Sequence, residues 1–383
     1  MLNKNKEREL AYVVKVDNVE PIEGYDRIRY ATVNGWHCVV GLDINAGDLC
    51  VYFEIDSLLN KTDERFSFCE KYNYRIKNQK YCKGTKLSQG LLMPLSAFPE
   101  LSGLKEGDFC TKELKVTYYD PIDQQRKRGT GQTETSPLFK KLKKHFPFKQ
   151  LMKTKIGSKV LLSIFRLRKK KQSWPAFVPK TDEERIQNMP YILKDKSAYE
   201  VSEKIDGCSS TYAACKDKFG KIKIWVCSRN VVLTRKSSTY YGAANVWFDM
   251  YDKYNIEQFL RDYIKNNNVD WVYLQGETYG NGVQKRDYSI GDRDFRAFIL
   301  CDSRRVRYTY NETKEILSKY NIPTVPILKT DYILPDTVEE LLDYAAAPSL
   351  LDGLPREGIV LRKIDDPTVS FKAVDNAYID KYH

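Results

Sequence analysis

Histidine is nearly missing from this chain: its 383 residues hold only His37, His145 and His383, far apart in sequence. Nine cysteines are scattered without a single C-x-x-C pair. Together these features exclude a zinc site of the usual kind and give no support to a catalytic cysteine or a Ser-His-Asp triad. An odd number of cysteines would leave one thiol over in any disulfide framework, so they read as reduced, small core residues. No apolar run approaches the length of a bilayer span, and MLNKNKEREL lacks the apolar stretch of a signal peptide. The expectation is an intracellular protein, cytoplasmic or nuclear, with no membrane partner.

Positive charge, by contrast, is abundant and uneven. The net charge is +12, which favours a polyanionic partner. From Arg126 to Lys171 there are sixteen Lys and Arg against one acid, Glu134, so this stretch carries more than the whole excess. Within it, LFKKLKKHFPFKQLMKTKIGSKVLLSIFRLRKKK interleaves cations with Leu, Phe and Ile, as a broken amphipathic helix would, with Pro147 and Gly157 as the breaks. It reads as a solvated face, a track for nucleic-acid phosphates that would include Lys140, Lys141, Lys143 and Lys144, or an anionic-membrane contact.

At this length two domains are expected, because single cores rarely grow past roughly 250 residues. Before the basic stretch, AYVVKVDNV (ending before PIEG), IRYATVN, WHCVVG and DLCVYFEI read as closely spaced short strands, the pattern of a small barrel or sandwich such as an OB barrel. After it, β-like KIKIWVCS, VDWVYLQGE and DFRAFILCD alternate with helical IEQFLRDYIKN and NETKEILSKYN, an α+β pattern. The expected division is 1–116 for the strand-rich domain, 117–172 for a basic connector and 173–383 for the second domain.

The stretch VSEKIDGCSS, from Val201, sets Lys204 between a glutamate and an aspartate. A lysine amine is protonated at neutral pH, with a pKa near about 10.4, and attacks an electrophile only after burial or a neighbouring cation destabilises the ammonium. On a strand, Asp206 would share a side with Lys204 and could help hold a divalent cation. Gly207 would permit a tight turn beside a nucleotide. Taken alone, K-x-D-G is weak.

Its companions are not. EKIDGCS, CSRN (Cys227 to Asn230), QGETYGNGVQK (from Gln275), DFRAF (Asp294 to Phe298), REGIVLRK (from Arg356) and SFKAV (from Ser370) resemble, in order, motifs I, Ia, III, IIIa, IV and V of the covalent nucleotidyltransferases, the ATP-dependent ligases and capping enzymes. Motifs III and IIIa are similar to those of RNA ligases that seal nicked duplexes. WPAFVPKTDEERIQN, from Trp174, and the N-terminal strands resemble the Deinococcus and Naegleria type, with an N-terminal OB domain.

The resemblance implies an N-terminal OB-like barrel followed by a nucleotidyltransferase (ATP-grasp-like ligase) domain of mixed and antiparallel sheets with flanking helices. It implies an ATP-dependent RNA ligase, a monomer acting on RNA or an RNA-containing nicked duplex. Lys204 would attack the α-phosphate of ATP to give lysyl-AMP. Asp206, Glu277 and Glu357 would hold a hydrated Mg²⁺ or Mn²⁺, and Lys372 would neutralise the α-phosphate. Arg229 would contact the phosphate or the RNA end, and Phe298 would stack on adenine, with Glu203, Ile205, Gly207, Ser209 and Arg362 completing the nucleotide site. Arg185 and Gln187 would touch RNA, although TDEERIQN also reads as a helix start capped by Thr181 with Glu184 three residues on.

Motif V commonly carries two lysines one residue apart, whereas Ser370 stands at the first position here. Lys363, Arg362 or a residue elsewhere would supply the second cation. The other readings of this scaffold are a DNA ligase and a non-catalytic RNA-binding protein. If the basic stretch follows phosphates, deleting Arg126 to Lys171 should weaken RNA binding and flatten its salt dependence. Adenylylation of the protein by labelled ATP should persist; unchanged RNA affinity would contradict the assignment.

Overall fold

The computed structural model describes residues 8–119, 173–179, 183–235, 245–304 and 307–382. In the N-terminal part, β1 (Ala11–Lys15), β5 (Leu49–Phe53) and β9 (Leu91–Pro94) form one antiparallel sheet, and β2 (Asn18–Ile22), β3 (Tyr25–Val33) and β4 (Trp36–Val40) form another. Two-residue strands β6 (Ser57–Leu58) and β10 (Thr117–Tyr118) pair, as do β7 (Gln79–Tyr81) and β8 (Lys86–Ser88). The runs AYVV and CVYF are continuously apolar because their sheet is buried on both faces. Ala11, Val51 and Phe53 enter one core, while Tyr12, Val14, Cys50 and Tyr52 enter another. The second strand runs through Pro21 instead of stopping before PIEG; it is the edge of its sheet, where a missing N–H is tolerated.

The C-terminal part is built on two five-stranded sheets. One has the order β11 (Glu184–Arg185), β20 (Ser370–Val374), β19 (Gly358–Lys363), β12 (Ala198–Lys204), β18 (Ile327–Ile333), antiparallel except for the β11–β20 pair. The other has the order β15 (Val232–Leu233), β14 (Ile222–Cys227), β13 (Cys208–Lys216), β16 (Trp271–Gly280), β17 (Arg293–Asp302) and is antiparallel throughout.

Helices α1 (Val246–Lys253) and α2 (Ile256–Asn267) pack on the second sheet. On α2 the buried residues Ile256, Phe259, Leu260, Tyr263 and Ile264 recur at helical spacing. Capping boxes Thr309/Glu312 and Thr337/Glu340 start α3 (Tyr310–Ser318) and α4 (Val338–Ala345). The short α5 (Asn376–Tyr382) follows β20. TDEERIQN does not start an α-helix: Glu184 and Arg185 pair in parallel with Phe371 and Lys372, and residues 186–188 form one tight 3₁₀ turn, while Thr181 lies outside the described residues.

The β3–β4 hairpin joins the two parts. Val33 pairs with Trp36 across a two-residue turn, Asn34-Gly35, with φ of 48° and 72°, the left-handed geometry for which Asn-Gly is suited. The Gly35 carbonyl accepts from Asn376 Nδ2 at 3.2 Å and from Gln187 Nε2 at 3.4 Å. A Cβ at Gly35 would lie 2.7 Å from Leu342 Cδ1. Gly35→Ala should therefore destabilise the protein by about 1–3 kcal/mol through overpacking and a strained φ. Leu342→Ala should relieve part of the extra loss, read as non-additive unfolding midpoints; an unchanged midpoint in Gly35→Ala would contradict this seat for the turn.

Candidate active site

Strand β12 ends at Lys204, and the register across its sheet decides what surrounds that amine. Lys204 stands opposite Gly358, which pairs with Val374; one step along, Ser202 stands opposite Val360, which pairs with Lys372. Side chains of one such row share a face. That face meets the second sheet across a cavity of about 650 Å³, and Glu277 and Phe298 come to it from the far side. Lys204, Asp206, Glu357, Lys372, Arg229 and Arg362 all line it, as do Glu203, Ile205, Gly207, Ser209 and Arg185. These groups come from segments up to 187 residues apart in sequence, from Arg185 to Lys372, and six motif segments converge on one space.

Lys204 Nζ donates to Glu357 Oε2 at 2.5 Å. Burial pushes the amine toward the neutral form, but Glu357, Glu277 and Asp206 together outweigh it, and the amine is held above its ordinary value as an ammonium. The cost falls on Glu277. Burial, opposed by Lys204 and reinforced by Glu357 and Asp206, pushes its carboxyl up to about 8. At neutral pH this arrangement keeps a proton on both Lys204 and Glu277.

Asp206 is buried, and its Oδ2 accepts from the Tyr378 hydroxyl on α5 at 3.0 Å. Its amide donates to the Tyr288 hydroxyl oxygen at 2.6 Å. The Arg286 guanidinium lies 4.1 Å from the Tyr288 ring centroid and pairs with Asp352, both side chains only 2% exposed. Tyr288 and Tyr378 carry no local sequence signal, because they reach Asp206 from other parts of the chain.

Several expectations change in detail. The Glu203 carboxylate does not face the cavity: alternation turns it away from Lys204, and it accepts from the Ser349 hydroxyl and the Leu350 amide. Gly207 lies at the bend between β12 and β13 and is also needed for close packing, since a Cβ there would lie 2.3 Å from the Thr278 carbonyl oxygen. Ile205 packs with Tyr279 and Tyr288. Gln187 is fully buried beneath Gly35 and has no surface to offer RNA. The Arg185 guanidinium faces Trp36 of the N-terminal part, 5.3 Å from its ring centroid.

Lys363 cannot serve as the second cation, because it lies on the opposite face from Arg362 and pairs with Asp195 at 3.0 Å. Arg362 does line the cavity, 1% exposed, stacked 3.9 Å over Tyr310 and donating to the Phe298 carbonyl at 2.9 Å; its Nε and Nη1 are buried without a partner. It pairs in register with Ser370, whose hydroxyl donates to Glu183 at 2.5 Å. Lys140, Lys141, Lys143, Lys144 and the rest of the basic stretch lie outside the described residues.

As a metal centre, the three carboxylates need rearrangement. Among the described residues no three His, Cys, Asp or Glu side chains are grouped closely enough to hold an ion. Glu357 is engaged by Lys204 and Asp206 by Tyr378, while Glu277 is protonated. Their oxygen chemistry and shared cavity fit a hard divalent cation held through its own waters, not a ready inner-sphere site.

A strand-end lysine between two sheets, ringed by carboxylates and faced by an aromatic ring, defines the covalent nucleotidyltransferase class. The RNA ligase family model matches residues 197–374, and an OB-fold domain model matches residues 10–95. The chain thus carries an RNA ligase family domain behind an N-terminal OB-fold domain. It is similar to solved structures of Naegleria gruberi RNA ligase: one with ATP and Mn (TM-score 0.62), one with PPi (0.64) and one with AMP and Mn (0.64). Identity is 28% in each case, covering 98% of this chain and 98–99% of the other. No curated protein sequence matches the chain.

The raised Glu277 carboxyl has a consequence for stability. Below pH 4.5 the folded and unfolded chains both carry this proton; between pH 4.5 and about 8 only the folded one does, so the group's contribution is lost as pH rises through that window. Measured by thermal unfolding in a metal chelator and without nucleotide, Glu277→Gln should gain on the parent protein across that window and level off above it. A gap independent of pH would contradict the protonated carboxyl.

Proposed function

We propose that the protein is an ATP-dependent RNA ligase that joins 3′-hydroxyl and 5′-phosphate ends, at nicks in duplex, through a lysyl-AMP intermediate. The observation that carries this reading is the position of Lys204, at the wall of a cavity whose other walls supply Glu277, Glu357, Lys372 and Phe298.

In the first step Lys204 Nζ forms a bond to the α-phosphorus of ATP as the bond to the β-phosphate oxygen breaks, releasing pyrophosphate. AMP then passes to the RNA 5′-phosphate oxygen, freeing the lysine. Finally the 3′-hydroxyl oxygen attacks that 5′-phosphorus and AMP leaves. Each step is a substitution at phosphorus, so the protein's contribution is alignment and neutralisation of charge.

Phe298 and Val360 bound the cavity from opposite sheets and would enclose the adenine ring. Lys372 and Arg229 would offset phosphate charge. Before Lys204 attacks it must give up the proton that its anionic neighbours hold in place. A Mg²⁺ or Mn²⁺ at Asp206, Glu277 and Glu357 would weaken that hold and offset charge gathering on the α-phosphate. The nine unpaired cysteines support residence in a reducing, intracellular compartment.

Incubation with α-labelled ATP and Mg²⁺ or Mn²⁺ should give a covalent protein–AMP adduct that vanishes in Lys204→Ala; no adduct with either metal would refute the mechanism. Lys372→Ala should abolish AMP transfer. Ser370→Ala should change it little, and a large loss there would show that the alignment of SFKAV is wrong.

A further inference from the structure

Charge in the N-terminal domain is gathered into one segment. From Lys71 to Lys86, KYNYRIKNQKYCKGTK, there are six Lys and Arg and no acid, whereas the other described residues up to Tyr119 hold nine basic and sixteen acidic side chains. A domain close to neutral as a whole thus presents one strongly cationic edge. Lys71, Lys77, Lys80 and Lys83 are exposed, and among the described residues Arg75 alone of the six is paired with a carboxylate, Asp56, at 2.5 Å.

Aromatic rings are interleaved with these cations. Tyr72 lies beneath Lys71, and Tyr81, 37% exposed, stands at the end of β7. Between β7 and β8 the chain turns through three successive left-handed residues, Cys82, Lys83 and Gly84, with φ of 53°, 56° and 92°. Non-glycine residues adopt that conformation at a cost of about 1–3 kcal/mol each. The segment ends beside the active site: Leu87 packs on Val374, which lines the cavity, and Lys80 donates to the Asp380 carbonyl of α5 at 3.2 Å.

We propose that Lys71–Lys86 is a track for the sugar–phosphate backbone of RNA. Lys71, Lys77 and Lys83 meet phosphates, Tyr81 offers its ring to a base, and the adjoining wall of the cavity receives the end to be joined. Contacts of this kind position a strand without reading its sequence. The inference rests on the RNA ligase reading above.

The test replaces Lys71, Lys77 and Lys83 by alanine in the full chain and leaves Lys80, with its bond to α5, intact. Affinity for a labelled nicked RNA duplex is measured over a range of salt, beside a control with Lys265, Lys314 and Lys319 replaced on α2, α3 and the residue after α3. Three lost phosphate contacts should lower the slope of log affinity against log salt by about 2–3, with self-adenylylation and the unfolding midpoint unchanged. An equal loss in the control would reduce the effect to net charge and overturn the track. So would lost self-adenylylation with RNA binding intact, which would assign these lysines to the ATP triphosphate. If the parent protein forms no AMP adduct, the ligase reading fails, while the salt slope still decides whether the track binds RNA.

Discussion

The ion pair between Lys204 and Glu357 is the interaction on which the site turns. A lysine placed where water is scarce should shed its proton, yet three carboxylates surround this one and keep it charged. Burial, reinforced by the nearby Glu357 and Asp206 carboxylates, leaves Glu277 holding a proton of its own. The cavity therefore rests in a state of mutual neutralisation. Its walls carry the charges that a phosphate-rich ligand and a cation would meet. Desolvation alone therefore does not free this amine.

The positions proposed as catalytic were readable in the sequence because they fall in short motifs whose spacing is set locally, in and beside strands. Lys204, Glu277, Phe298, Glu357 and Lys372 line one cavity as their motifs imply. What lay beyond the sequence was the direction of individual side chains. Glu203 sits one residue from Lys204 yet points to the other side of the sheet, and Gln187 is polar but sealed beneath a hairpin turn. Gly207 was legible as a special glycine, although the reason is the nearby Thr278 carbonyl and not its own torsion angles. In each case a long-range neighbour decided the outcome.

The fold followed a similar division. Helical spacing identified α2, whose buried positions recur every three or four residues, and runs of β-branched and aromatic residues identified the strands. TDEERIQN has a helix's capping pattern but forms a parallel pair with β20, a partner nearly two hundred residues away. Local propensity is worth tenths of a kcal/mol per residue, and a strand edge with free hydrogen-bonding groups outweighs it. Pro21 shows the reverse: its place on an edge strand lets a residue that usually ends a strand be carried within one.

The terminal helix α5 touches both halves of the molecule. Asn376 at its start holds the Gly35 turn, Tyr378 two residues on holds Asp206, and Ile379 packs on Leu87. Seven residues therefore tie the seat of the OB fold to the orientation of a carboxylate in the catalytic pocket. An exchange of the N-terminal module for one from another ligase would have to bring a matching tail with it, because a chimera with the wrong ending would join two sound domains and still leave that carboxylate unsteered.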